Sequence, residues 1–137
     1  VVAELLLKAG ANPNDSPCPL WYAKGAKVTK VLLSHGADPD IKTKDGRIAL
    51  VPFCGYSSIG KVRALLEAGA DPNIAQTDGH TGFTPLICYM FRLTKDNNLA
   101  ILKLLLDGGA DRTMQIEAYG GQYGNKKMIT AEDIARK

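Results

Sequence analysis

"RALLEAGADPN", residues 63–73, decides how the rest of the chain is read, because the same eleven-residue pattern stands at three other places. "ELLLKAGANPN" begins at Glu4, "KVLLSHGADPD" at Lys30 and "KLLLDGGADRT" at Lys103, and the four align without a gap. Counting back from Gly10, Gly36, Gly69 and Gly109, the third and fourth preceding residues are Leu in every copy, and the sixth is charged (Glu4, Lys30, Arg63, Lys103). Leucines on one side and a charge on the other describe an amphipathic helix. The glycine that follows supplies the left-handed conformation that ends it. Self-similarity of this kind is the signature of a stack in which each unit buries its apolar face against its neighbours.

Ala follows each of these glycines, and Asn12, Asp38, Asp71 or Asp111 comes next, with Pro after it in three copies. Small residues, Asx side chains and Pro make a turn that carries the chain out of the helix. A polar stretch with a turn of its own follows, "KTKDGR" at 42–47 or "TDGHTGF" at 77–83, as expected for a hairpin-like finger. Thr84-Pro85-Leu86 then reads as a helix start with Thr as N-cap and Pro in the first turn, and Cys18-Pro19-Leu20 is a looser version. The unit is finger, helix, short loop, helix.

On these residues the chain resembles the ankyrin-repeat family, whose unit of about 33 residues opens T-P-L-H-x-A. Gly36 and Gly69 are 33 positions apart; the endings "GANPN", "GADPD", "GADPN" and "GADRT" carry the match, with "DGRIALV", "GFTPLIC" and "ITAEDIA" at the first-helix starts. The resemblance implies an all-α ankyrin-repeat solenoid of stacked helix pairs with β-hairpin-like finger loops, formed as a single domain over 1–137. The second helix of a partial repeat is expected at about 1–10, repeats at about 11–36, 37–69 and 70–109, and a partial C-terminal repeat at about 110–137. Such an arrangement, and the missing initiator Met, suggest a piece of a longer protein.

Repeat lengths are irregular. Gly10 and Gly36 are only 26 positions apart, and Gly69 and Gly109 are 40 apart. Insertions in a solenoid map to loops, so the third unit is expected to lengthen its finger near "DGHTGF" and its inter-helix loop near "RLTKDNN". The final finger, "MQIEAYGGQYGNKKM", is the longest, and the motif's His is replaced by Trp21, Val51, Ile87 and Asp133.

The rest of the sequence excludes other classes. An apolar fraction of 45% with 23% charged residues is that of a folded domain, and no apolar run approaches the roughly 18 residues of a bilayer helix. A net charge of +3, with Asp38, Asp40 and Asp45 among the basic residues Lys42, Lys44 and Arg47, speaks against a nucleic-acid face. Cys18, Cys54 and Cys88 form no C-x-x-C pair and have no His at metal-ligand spacing, so reduced thiols in a cytoplasmic setting are expected. One motif argues for nucleotide binding: G-x-x-x-x-G-K at 55–61, ahead of an amphipathic helix. Pro52 would interrupt the required strand, and Val62 stands where a hydroxyl must hold Mg²⁺, so the repeat register makes these residues the turn between two helices.

Ankyrin-type stacks bind other proteins through fingertips and the exposed side of their first helices. The resemblance therefore implies a protein-interaction module that binds through its concave face and finger loops. No catalysis, cofactor, metal, nucleic acid, membrane or small-molecule substrate is expected. The alternative is a substrate-recruiting segment of a larger enzyme, ubiquitin-ligase-type assembly or effector, with catalysis outside these residues. Slot counting from Leu20, Leu50 and Leu86 turns Tyr22, Tyr56, Phe91 and Arg92 outward, and aromatic and Arg side chains are the usual interface anchors. Trp21 is expected to pack. Lys42, Lys44, Gln76, His80, Phe83, Tyr119 and Tyr123 are fingertip candidates. Asn14 and Asn73 close "GANPN" and "GADPN", a slot that in similar repeats can be hydroxylated.

Overall fold

The leucine-glycine pattern recurs as a row of parallel helices in the computed structural model, which describes residues 2–55, 58–77, 82–91, 99–113, 116–120 and 125–129. Among these residues there are seven helices: α1 (Val2–Lys8), α2 (Pro19–Tyr22), α3 (Ala26–Ser34), α4 (Leu50–Gly55), α5 (Ile59–Glu67), α6 (Pro85–Phe91) and α7 (Leu99–Asp107). The four leucine-pair segments are α1, α3, α5 and α7, and each packs on the next. The first helices α4 and α6 pack on each other, and α2, α4 and α6 each pair with the second helix that follows. Two layers result, with the core between them. The last finger closes as an antiparallel hairpin of β1 (Ile116–Gly120) and β2 (Asn125–Ile129), Ile116 opposite Ile129.

Each second helix ends in the same way. The Gly69 N–H donates to the Leu66 carbonyl at 3.0 Å and the Ala70 N–H to the Leu65 carbonyl at 3.0 Å, a paired closure repeated at Gly10, Gly36 and Gly109. Gly69 lies at φ 91°, where a Cβ is disfavoured. The leucine whose carbonyl takes the Ala N–H is also a core residue: Leu32, Leu65 and Leu105 are 5%, 0% and 0% exposed. In α1 the equivalent Leu6 is 57% exposed, because no first helix covers α1 among the described residues. First helices start as the sequence suggests where the motif is complete. The Thr84 hydroxyl accepts the Ile87 N–H at 3.3 Å and Pro85 opens α6, whereas Cys18 gives α2 no side-chain cap and that helix has only four residues.

A second set of bonds ties each helix end to the next. Within each turn the first Asx side chain accepts the N–H two residues on: Asn14 N–H to Asn12, Asp40 N–H to Asp38, Asn73 N–H to Asp71 and Thr113 N–H to Asp111, at 2.8 to 3.0 Å. The last residue of the turn then reaches the following repeat. Asn14 donates through Nδ2 to the Gly36 carbonyl at 2.9 Å and accepts the Asp38 N–H at 2.8 Å. Asn73 does the same to the Gly109 carbonyl at 3.0 Å and from the Asp111 N–H at 2.7 Å. Asp40, in the same slot, accepts the Asp71 N–H with both oxygens at 3.1 Å, but a carboxylate has no N–H for the Gly69 carbonyl.

Two substitutions test these contacts. A Cβ at Gly69 meets no atom within 4 Å, so Gly69→Ala should cost only the backbone strain, about 1–2 kcal/mol, read as a lowered midpoint in urea. Asp40→Asn restores the missing donor and should stabilise by about 0.5–1.5 kcal/mol. Burial, then the carboxylates of Asp38 and Asp71, hold the Asp40 carboxyl above the usual range, against the Asp71 N–H, which lowers it. The folded state therefore keeps a proton that the unfolded chain has released, and Asp40 makes stability fall as pH rises through that window. Asp111 has the opposite sign: the Thr113 hydroxyl and N–H hold it low, so its contribution is lost as pH falls. Unfolding of both proteins between about pH 3.5 and 6 should give a difference that widens as pH rises.

Candidate functional site

Finger length decides where the fingers touch. Gly36 and Leu50 are 14 positions apart and Gly69 and Leu86 are 17 apart, but only 10 separate Gly10 from Leu20. The second finger turns through Thr43: its N–H donates to the Arg47 carbonyl at 2.9 Å, and its carbonyl accepts the Gly46 N–H at 2.9 Å. The third finger is drawn together by the Gln76 N–H on the Phe83 carbonyl at 3.2 Å. These two fingers meet: the Thr77 N–H donates to the Gly46 carbonyl at 3.0 Å, and a side chain at Gly46 would collide with Thr77 Oγ1.

The short first finger leaves a gap instead. Between residues 14–18 and residues 41–45 lies a cleft of about 270 Å³ with Tyr22 of α2 on its wall. Tyr22 is 64% exposed. Lys42 and Lys44 line the same cleft and are exposed, and among the described residues neither has a carboxylate within 4 Å. Asp15 also faces it, but its carboxylate already accepts the Asn12 amide at 2.9 Å. Beside the cleft Trp21 is half-buried against the core with the Arg47 guanidinium 5.9 Å from its ring centroid, so it packs as expected and joins α2 to the second finger.

Three of the anticipated contact residues, Tyr22, Lys42 and Lys44, thus come together in space. Gln76 and Phe83 lie apart from them, half-buried at the base of the third finger. Phe91 closes α6, and Tyr119 lies in β1 opposite Lys126. Tyr56, His80, Arg92, Tyr123 and the "TAEDIARK" segment, 130–137, lie outside the described residues. Asn14 and Asn73, expected from the sequence as possible hydroxylation positions, both have their amides bound to the next repeat.

The apparent phosphate loop has a structural explanation. α4 ends at Gly55 and α5 starts at Ile59, so the motif is the turn between paired helices, with Pro52 inside α4. Gly60 permits a close approach, since a Cβ there would lie 3.0 Å from the Ala26 Cβ. Lys61 places its ammonium 4.1 Å from the centroid of the Phe53 ring. Burial, and then Cys88, push the Cys54 thiol far up, which keeps it protonated and a poor nucleophile. Among the described residues no group of three acidic, His or Cys side chains is arranged to hold a metal ion, and no helix is long and apolar enough to cross a membrane.

The sequence model for three copies of the ankyrin repeat matches residues 20–116. The chain belongs to the ankyrin-repeat family. A solved ankyrin repeat domain from Acinetobacter baumannii AYE superimposes with a TM-score of 0.73 at 30% identity, over 96% of this chain and 65% of that one. This chain therefore spans less than two thirds of that ankyrin domain. No curated protein sequence matches it. Ankyrin repeats are generally protein-interaction modules and their fold is not a catalytic one.

Sequence reasoning did not reach the Lys61–Phe53 contact or the junctions made by Asn14, Asp40 and Asn73. The recurring Asx at the last slot was the available signal for the second. If Lys61 serves packing, Lys61→Ala should lower stability by about 0.5–1 kcal/mol, the worth of an exposed cation–π contact. Calorimetry with millimolar Mg²⁺-ATP should show no saturable heat for either protein, and heat abolished by the substitution would reinstate a nucleotide site.

Proposed function

We propose that this chain is a protein-interaction module that binds its partner on the side formed by the first helices and fingers. The observation that carries this reading is the convergence in one cleft of an exposed tyrosine and two lysines that have no carboxylate within 4 Å among the described residues, although they are contributed by different repeats. An amphipathic aromatic ring beside flexible cations is the composition expected of an interface anchor. Tyr56, Phe91, Arg92 and His80 belong to the same proposed surface by their slots, with Gln76 and Phe83 at its base.

The opposite side supports the choice by contrast. On the second helices Glu4 pairs with Lys8 at 3.0 Å and Lys30 with Glu67 at 4.0 Å, all largely solvent-exposed. Exposed pairs of this kind are worth little, and the four second helices carry no aromatic side chain to anchor a partner.

A partner isolated by co-purification should lose roughly tenfold or more in affinity against Tyr22→Ala, with the thermal midpoint almost unchanged because the ring is exposed. Lys30→Ala should leave affinity unaltered. Loss of binding through Lys30 but not Tyr22 would move the site to the convex side.

A further inference from the structure

The first two fingers stand apart because one is too short, and the second and third touch because both are long enough. At the touching junction, the edge of one finger donates a backbone hydrogen bond to the other, Thr77 N–H to Gly46 carbonyl. At the open junction, the facing edge of the second finger is the segment 42–44. Among the described residues the backbone N–H and C=O groups of Lys42 and Lys44 make no hydrogen bond. Lys44 sits in the turn that the Gly46 N–H closes on the Thr43 carbonyl, so these are free main-chain donors and acceptors of a loop at the cleft, open to the polar groups of another chain.

The side chains around that edge select what kind of chain fits. Pro17, Ile41 and the ring of Tyr22 offer apolar surface, and Lys42 and Lys44 add two cations that have no carboxylate within 4 Å among the described residues. Asp45 at the tip sets a limit, because a continuous acidic run would meet a like charge there. Asp15 adds less repulsion, its carboxylate being held by Asn12.

We infer that the cleft between the first two fingers takes an extended segment of the partner protein that carries one acidic side chain beside an apolar one, lying where a full-length first finger would lie. This rests on the protein-interaction reading above and assigns the partner's chemistry. The carboxylate sits between the Lys42 and Lys44 ammonium groups, the apolar neighbour covers Tyr22, and polar groups of the segment meet the free main-chain groups of Lys42 and Lys44.

The test is selection of a random displayed-peptide library on the whole chain, followed by titration of synthetic copies of the selected peptides. Selected peptides should share one Asp or Glu next to an apolar residue, and their affinity should fall as salt rises. It should also fall roughly tenfold or more against the double variant K42E/K44E, whose thermal midpoint should match the parent because both side chains are exposed. Selection on K42E/K44E should return Lys or Arg at the position of the acid. Peptides that bind both proteins equally, or that lack an acidic residue, overturn the inference. So does a failure to select any peptide. If binding depends on Tyr22 but not on the lysines, the acidic segment is wrong while the interaction reading stands. If a co-purified partner is also indifferent to Tyr22→Ala, both fail.

Discussion

The two leucines before each glycine hold this protein together by acting through both main chain and side chain. Their carbonyls accept the Gly and Ala N–H groups that close the helix, as Leu65 and Leu66 do for Ala70 and Gly69. In α3, α5 and α7 the side chain of the first of the pair meanwhile fills the layer between the helix rows. Helix termination and core packing therefore share one register. A shift of one residue would open the cap and turn the leucine out of the core together. Everything downstream, from the Asx turn to the finger, is placed by where that glycine falls.

The junction bonds are laid over this register, and they show how side-chain chemistry grades otherwise equivalent contacts. Asn14 and Asn73 each offer a donor and an acceptor and satisfy two backbone groups of the next repeat. Asp40 offers acceptors alone and makes its contact one-sidedly, with Asp38 and Asp71 close enough to disfavour its charge. The junction beyond Asp40 has the bond between fingertips, Thr77 to Gly46, that the junction beyond Asn14 lacks. Each interface thus has its own mixture of deep and peripheral bonds.

Most of the fold was legible in the sequence because its determinants are local and repeated. The leucine pair, the glycine and the Asx after it lie within a few residues of one another and occur four times. The dismissal of the phosphate loop was equally readable, since Pro52 and Val62 were wrong for it before Phe53 and Ala26 supplied the reasons for Lys61 and Gly60. The candidate site was legible only in part. Slot counting placed Tyr22 outside, but its meeting with Lys42 and Lys44 depends on a gap between fingers of different repeats. The spacing of 26 hinted at that gap without saying whether it would close. Contacts between residues far apart along the chain, such as Arg47 on Trp21, left no periodic trace.

The separation between what fixes the stack and what faces outward has a consequence for how such a chain changes over generations. The leucine register and the Asx junctions all lie within a few positions of the glycine, and neither extends to the tip of a finger. Residues can be gained or lost at a tip while every one of those contacts survives, as the intervals of 10, 14 and 17 between glycine and first-helix leucine already display. A change of finger length then costs folding no more than peripheral bonds such as that of Thr77 to Gly46. Lineages of this chain are free to open or close clefts between neighbouring fingers one at a time without passing through an unfolded ancestor.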